Sequence, residues 1–570
     1  MLNVWCVDTE YRITPGERVR PICLVAHDLR SATTHRRWLW DEDPGPPPWA
    51  PNDLIVCYSA TAECGVFAAL GWAQPQIIDL WAQHRLQTNG LTMHTKFFNA
   101  LEHHGIAAPI DSAEKKAWQM LCAEGSSEQI AAKRQGILDY CESDVLLLGE
   151  LYRRMAPSID LSTALFIGAY GAACAEIEHR GIPVEIERLR VLTERWAEVR
   201  AAAAEIATTR MRFRIYGGET GTQFSYKRFE EYLLRVDLLK SWPRTASGRL
   251  ATDDRTLKTA CARHADLEPL RQARRTMSMI HPARIRVGSD ARCRTPVRPF
   301  AAMTGRNQPK AHTPLAYPAW MRALITPGPG RALTILDYAQ QEFALAGGLS
   351  GDEKMREAYA SGDAYLAFAI QCGALPNAAQ RGQPGVDLVR DVYKIASVAI
   401  MYGVSAQGLG DILGIAESRA GAIMFRHRRA YPRYWEWSDE IAAGAAFDGV
   451  METALGWRIS TARMRDRSVR NWPLQSTGGD ILRLATVKAR KEGIEIVALV
   501  HDAVIVEADV GNVTVITELT RRMMVEAGEE VAGVTLRVDE QIVGPGERYF
   551  KDAKARAWWT AISKRLGYAP

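Results

Sequence analysis

An apolar, strand-forming run that ends in a carboxylate and passes at once into a helix constrains this chain most. It is Leu333 to Gly347, LTILDYAQQEFALAG. Leu333, Thr334, Ile335 and Leu336 favour a strand, and Asp337 closes it. A carboxylate at the end of a buried strand is costly unless a cation meets it there. On its own Asp337 also suits a helix cap. Two later stretches tip the balance. Arg390, Lys394, Val398 and Tyr402 recur every four residues up to Gly403, a gently winding stripe on one helix that a C-cap glycine would end. His501 and Asp502 lie between two apolar runs within VALVHDAVIVE, as at the tip of a hairpin.

The opening segment holds a second set of acids. Val4-Trp5-Cys6-Val7 reads as a strand that ends in Asp8-Thr9-Glu10, with Pro21 to Ala26 returning beside it. On a strand Asp8 and Glu10 point to one face, where both carboxylates suit a hard cation. Leu54 to Tyr58 leads through small residues to Glu63, which opens an apolar helix. In ILDYCESDVLLLGELY, Tyr140 and Asp144 are four apart and share a helical face.

Charge divides the chain at the same place. Residues 1–155 carry 14 Lys and Arg against 19 Asp and Glu; the remainder carries 57 against 47. Within that remainder, Arg271 to Lys310 holds ten basic residues and one acid, and Arg458 to Arg470 holds five arginines against Asp466. Two dense basic runs in one half favour a polyanionic partner, because each phosphate contact releases counterions. A length of 570 residues allows about three or four structural units. No run approaches the roughly 18 apolar residues of a membrane span, and the N-terminus lacks a signal-peptide pattern. Ten cysteines without paired metal spacing suggest reduced thiols and a cytoplasmic setting.

In order and spacing, Asp337, the Arg390 to Gly403 stripe and His501-Asp502 resemble motifs A, B and C of family A DNA polymerases. The resemblance implies an α/β and α+β multidomain chain: an RNase H-like domain followed by a right-hand domain of palm, fingers and thumb. It implies that Asp337 and Asp502 hold two Mg²⁺ or Mn²⁺ ions, and that Tyr338 lies beside the nucleotide. Glu342 would close the space beside the sugar C2′ and so select deoxynucleotides. Arg390 and Lys394 would bind the incoming triphosphate, with Val398 and Tyr402 on the same stripe. Thr304-Gly305-Arg306 resembles a minor-groove element. Asn471 and Gln475, ahead of Asp480 on an amphipathic helix, resemble a segment that reads minor-groove acceptors, joined by Arg467; His501 would also face DNA. Departures from the family pattern are Val398, Ser476 and Ala503, where an aromatic residue, Gly and Glu are usual.

The N-terminal set resembles the proofreading 3′→5′ exonucleases. Carried over by position, Asp8, Glu10, Glu63 and Asp144 would hold two further divalent ions, and Tyr140 would orient water. Glu63 replaces the more usual Asp. The space before Asp8 predicts no separate 5′ nuclease.

These readings place the exonuclease over 1–155 and the polymerase over 156–570, with thumb over 185–290, palm over 291–348 and 440–550, and fingers over 349–439. Within it, 188–208, 353–372 and 386–402 read as helices. The expected partners are primer–template DNA and deoxynucleoside triphosphates, with no membrane. The chain is expected to be a monomer in the cytoplasm, a host's if the source is a phage, and to serve phage DNA replication. An exonuclease whose polymerase half only clamps DNA, and a polymerase specialised for a modified base, share the same motifs.

Overall fold

The computed structural model describes residues 3–92, 94–108, 112–261, 264–309 and 312–569; Lys310, the end of the first basic run, lies outside them. No described helix is long and apolar enough to cross a membrane. All ten cysteines are free thiols.

The first body is built on a mixed five-stranded sheet with Val4–Arg12 at its centre. That strand pairs antiparallel with Arg20–Asp28 and parallel with Leu54–Cys57. Both faces are covered, so alternate residues enter different cores. Cys6, Val25, Val56 and Ile78 meet Ile137, Cys141, Val145 and Leu148 of the helix Arg134–Met155. Trp5, Val7, Leu24 and Ile55 face the other way, against Ala60–Ala69 and the helix Leu161–Arg180. Asp8 and Glu10 share the parity of Cys6, which aims them toward Arg134–Met155.

The helix Leu161–Arg180 joins two bodies. Ala172 and Ala175 close the first sheet, while Ile167, Tyr170, Cys174 and Ile177 enter the core of the second body. Gly168 permits this approach, since a Cβ there would stand 1.9 Å from the Ile77 carbonyl oxygen. Between Arg134–Met155 and Leu161–Arg180 the chain makes a 3-10 turn at Ala156–Ser158.

The second body centres on an antiparallel sheet ordered Ile496–Val500, Ala503–Asp509, Arg331–Tyr338, Val538–Val543. Thr334, Leu336 and Tyr338 face the helix Val513–Ala532: Thr334 Oγ1 lies 2.8 Å from Thr517 Oγ1, and the Tyr338 hydroxyl donates to the Met524 carbonyl at 2.8 Å. Leu333 and Ile335 face the opposite core, and Asp337 follows their parity.

Three sequence expectations need correction. The segment 188–208 is two helices, Ile186–Glu194 and Trp196–Met211, divided at Arg195. The segment 353–372 is also two, Glu353–Ala360 and Ala364–Gln371. Gly362, at φ 100°, turns the chain between them, and Asp363 caps the second helix by accepting from the Tyr365 and Leu366 amides. Asn471 and Gln475 do not precede the Asp480 helix but lie on it, because Asp466–Lys491 runs through Pro473, forgoing one internal hydrogen bond there.

Candidate active sites

The end of the second sheet brings the two palm aspartates together. Asp337 is the penultimate residue of its strand, paired across the ladder with Ala503. Asp502 sits one residue earlier, in the turn where His501 takes a left-handed backbone (φ 57°). Solvent reaches Asp337 from the cleft, yet its carboxyl is pushed up to about 7. Desolvation is the first cause and the Asp502 carboxylate the second; Lys551 opposes both.

A polar network lies beside this pair. One carboxylate oxygen of Glu342 accepts from the Tyr402 hydroxyl at 2.6 Å and from the Gln475 amide at 2.8 Å. Gln475 also donates to the Tyr402 oxygen, and Arg306 Nε donates to the Gln475 carbonyl at 2.9 Å. Gly478 leaves room for this, since a Cβ there would meet Gln341 Oε1 at 2.7 Å and an Arg306 nitrogen at 2.8 Å. Tyr402 follows the helix Val386–Met401, and Gly403 ends it at φ 70° with Arg467 packed against it. Arg467 and His501 are exposed.

Higher on that helix, Arg390 is buried and already partnered. Its Nε lies 2.9 Å from Asp363 and a terminal nitrogen lies 3.0 Å from Asp391. The guanidinium sits 5.2 Å from the Tyr365 ring centroid and the Lys394 ammonium 5.8 Å from the same ring. Burial, then the Arg390 charge, lowers the Lys394 pKa, while Asp391 and Asp363 oppose the shift. The Tyr365 hydroxyl is pushed up to about 12 by burial and then by Glu342; Arg390 opposes the shift, and Asp363 and Asp502 add to it. Tyr365 therefore stands between the cationic stripe and the palm acids.

Some expected contacts fall elsewhere. The Tyr338 side chain points behind the sheet, one residue out of phase with Asp337, and is held in the core by its bond to Met524. Asn471 is buried with its amide nitrogen unpartnered, rather than presented at a surface. Val398 is half-buried against the main core.

In the first body, Asp8, Glu10, Glu63, Tyr140 and Asp144 all line one cleft of about 1260 Å³. Asp8 is pushed up to about 7 by desolvation and then by Asp144, with Lys115 opposing. Glu10 and Glu63 are also raised well above the usual carboxylate range, by burial first and by Asp8 next. Cys141 Sγ lies 3.4 Å from Asp8 Oδ2.

Lys115 escaped the sequence reading. It forms an ion pair with Asp144 and stands 5.2 Å from the Tyr140 ring centroid and 5.0 Å from that of Phe97. Its only sequence signal is a lysine pair on a helix otherwise unconnected to the acids. Asp363 escaped for a similar reason, being a helix cap by position and the counter-ion of Arg390 by fold.

Among the described residues, no three His, Cys, Asp or Glu side chains converge tightly enough to enclose a metal ion as they stand. The donors nevertheless suit hard divalent cations. Glu63 Oε2 and Asp144 Oδ1 are buried without a hydrogen-bond partner, and the Asp337–Asp502 pair confines two carboxylates with mutual repulsion.

The sequence model of DNA polymerase family A matches residues 192–545, more than half of the chain. The chain belongs to DNA polymerase family A.

Among its relatives, DNA polymerase I of Aquifex aeolicus is 24% identical over 73% of this chain and 76% of its own length. The thermostable DNA polymerase I of Thermus caldophilus is 26% identical over 62% of this chain, and only 44% of that protein is covered. The DNA polymerase of Mycobacterium phage L5 is 23% identical over 62% of this chain and 58% of its own length. In fold, the chain resembles the POL domain of Pol1 from M. smegmatis, solved in complex with DNA primer-template and dNTP. That match has a TM-score of 0.71 and 19% identity, covering 97% of this chain and 96% of the other. The shared fold of this family A polymerase thus extends over the first sheet, which precedes the residues matched by the family model.

Proposed function

We propose that this family A polymerase copies a DNA template by adding deoxynucleotides to a primer 3′-OH in a two-metal reaction, and that its first body removes misplaced 3′ ends. The observation that carries the first half is the Asp337–Asp502 pair with Tyr365 between it and the Arg390–Lys394 stripe. Asp337 and Asp502 would hold Mg²⁺ or Mn²⁺, two ions per site. Bound there, such ions would supply activation of the attacking oxygen and stabilisation of charge on the leaving group. Arg390 and Lys394 orient the triphosphate and offset charge on the departing pyrophosphate. Glu342 and Tyr402 wall the sugar, and Gln475 with Arg306 faces the minor groove of the new pair. Asn471, buried, supports Gln475 from one turn earlier on the helix.

The second half rests on the gathering of Asp8, Glu10, Glu63, Tyr140 and Asp144 around one cleft, with orphaned carboxylate oxygens suited to a divalent cation. There Tyr140 orients water and Lys115 balances charge on Asp144 until a cation arrives. Likeness to a mycobacteriophage polymerase supports a role in phage DNA replication.

The two activities separate by mutation. Asp337→Asn should abolish primer extension with Mg²⁺ while degradation of a single strand continues, and Asp8→Ala should do the reverse. Full-length protein, a labelled primer–template and a labelled single strand suffice. Absence of extension by the parent chain would favour a DNA clamp over a polymerase.

A further inference from the structure

We propose that Asp539 is a positioning carboxylate for the divalent cation at the Asp337–Asp502 pair, so that the palm works with three acids. The inference rests on the polymerase reading above.

The strand carrying Asp337 is flanked on both sides. In the ladder with Ala503–Asp509 its partner is Ala503, whose methyl group offers no donor. In the ladder with Val538–Val543 its partner is Asp539. Cross-strand partners project from the same face with Cβ atoms about 5 Å apart, so Asp539 shares the cleft face with Asp337. The alternation of its own strand agrees. Glu540, one residue on, pairs with Leu336 and forms an ion pair with Arg521 of the helix behind the sheet.

Like charges placed directly opposite each other on a ladder are destabilising. Asp539 stands in that position against Asp337. It is exposed, and among the described residues it has neither a hydrogen-bond nor an ion-pair partner. Its charge raises the Asp337 pKa after burial, Asp502 and the opposing Lys551. Lys551 is the amine that opposes this shift at Asp337. A counter-ion is what this arrangement lacks, and the polymerase reaction supplies one.

Among the described residues no three acids converge closely enough to enclose an ion, so the role assigned to Asp539 lies outside the inner coordination sphere. Its part is to hold a water of the cation's hydration shell and to strengthen attraction for the ion, as outer-sphere carboxylates do.

The test uses the full-length chain as Asp539→Asn, Asp539→Glu and Asp337→Asn, all on an Asp8→Ala background that removes degradation of the primer. Primer extension is titrated with Mg²⁺ at saturating nucleotide. Mn²⁺ binding to the complex with a dideoxy-terminated primer–template is followed by electron paramagnetic resonance, without turnover. Asp539→Asn should raise the Mg²⁺ half-saturation about tenfold and weaken Mn²⁺ binding by a similar factor. The maximal rate at high Mg²⁺ should recover, and Asp539→Glu should stay near the parent.

Unchanged half-saturation and Mn²⁺ binding in a folded Asp539→Asn chain would overturn the role. A uniform loss of rate at every Mg²⁺ concentration, with Mn²⁺ binding intact, would equally overturn it as merely structural. The control separates the two readings. If Asp337→Asn extended primers like the parent, the palm assignment itself would fail. If Asp337→Asn were dead and Asp539→Asn normal, only the role of Asp539 would fall.

Discussion

At Glu342 one carboxylate oxygen accepts from both Tyr402 and Gln475, so the fingers and the long palm helix are tied to a single atom. Truncation removes that acceptor and, on the proposed reading, opens the space that would lie beside the sugar. Glu342→Ala should raise ribonucleotide over deoxynucleotide incorporation by roughly 10- to 100-fold, the scale on which lost methylene-sized contacts relax selection. The ratio of kcat/KM for the two substrates measures it, and an unchanged ratio would put the gate elsewhere. Asp8 makes a pH-dependent counterpart. Its native carboxyl titrates near 7, against about 4 in an unfolded chain. The native state therefore holds the proton more tightly, and stability falls as pH rises from about 4 to about 7, with the full penalty above that. A divalent cation bound there, as proposed, would relieve the penalty where the acid is ionised. Mg²⁺ should raise Tm more at pH 8 than at pH 5, and Asp8→Asn should shrink the difference, as thermal melts with and without chelator would report. The acids themselves were legible because strand parity and i, i+4 spacing fix their faces. Tyr338 was misplaced by the same parity, since a neighbour of Asp337 in sequence must point the other way. Lys115 and Asp539 were illegible because their partners lie 29 and about 200 residues away in sequence, and only the packed helix and the strand register bring them together.

The fingers helix Val386–Met401 enters the site with its first cation already engaged. Asp363 caps the preceding helix and holds Arg390 at once, so on the proposed reading a triphosphate would displace one anion to gain the guanidinium. Asp363→Asn keeps a capping side chain and removes the competing charge. It should tighten nucleotide binding by roughly two- to fivefold, about 0.5–1 kcal/mol, as the mostly buried Asp363 carboxylate no longer competes for the guanidinium. Equilibrium titration of a dideoxy-terminated complex tests this, and weaker binding would mean that Asp363 serves Arg390 by holding it in place. The sequence does carry the interruption that builds this arrangement, in Ser361-Gly362-Asp363: a glycine, then a capping acid. Apolar periodicity on both sides masked it, and 353–372 read as one helix. The break at Arg195 has no such signature, because neither glycine nor proline marks it.

Across the whole molecule, the acidic first body and the basic second body meet through specific seats. The Asn89 amide donates to the carbonyls of Met303 and Arg458 at 2.8 and 2.7 Å, and Arg85 donates to Ala301 at 3.2 Å. None of these residues belongs to a motif, which is why sequence patterns anticipated the two bodies but not how they join. The helix Leu161–Arg180 adds a further consequence. It gives Ala172 and Ala175 to one core and Tyr170, Cys174 and Ile177 to the other, so it is a party wall rather than a hinge. A protease that nicks the chain at Ala156–Asp160 should leave two fragments that still migrate as one particle in gel filtration, since Leu161–Arg180 stays packed against both cores. Cassette exchange is closed off by the same feature. A graft ending before Leu161 uncovers part of one face of the first sheet, and one ending after Arg180 strips the second core of Ile167, Tyr170, Cys174 and Ile177, so recombination moves these two bodies best as a pair.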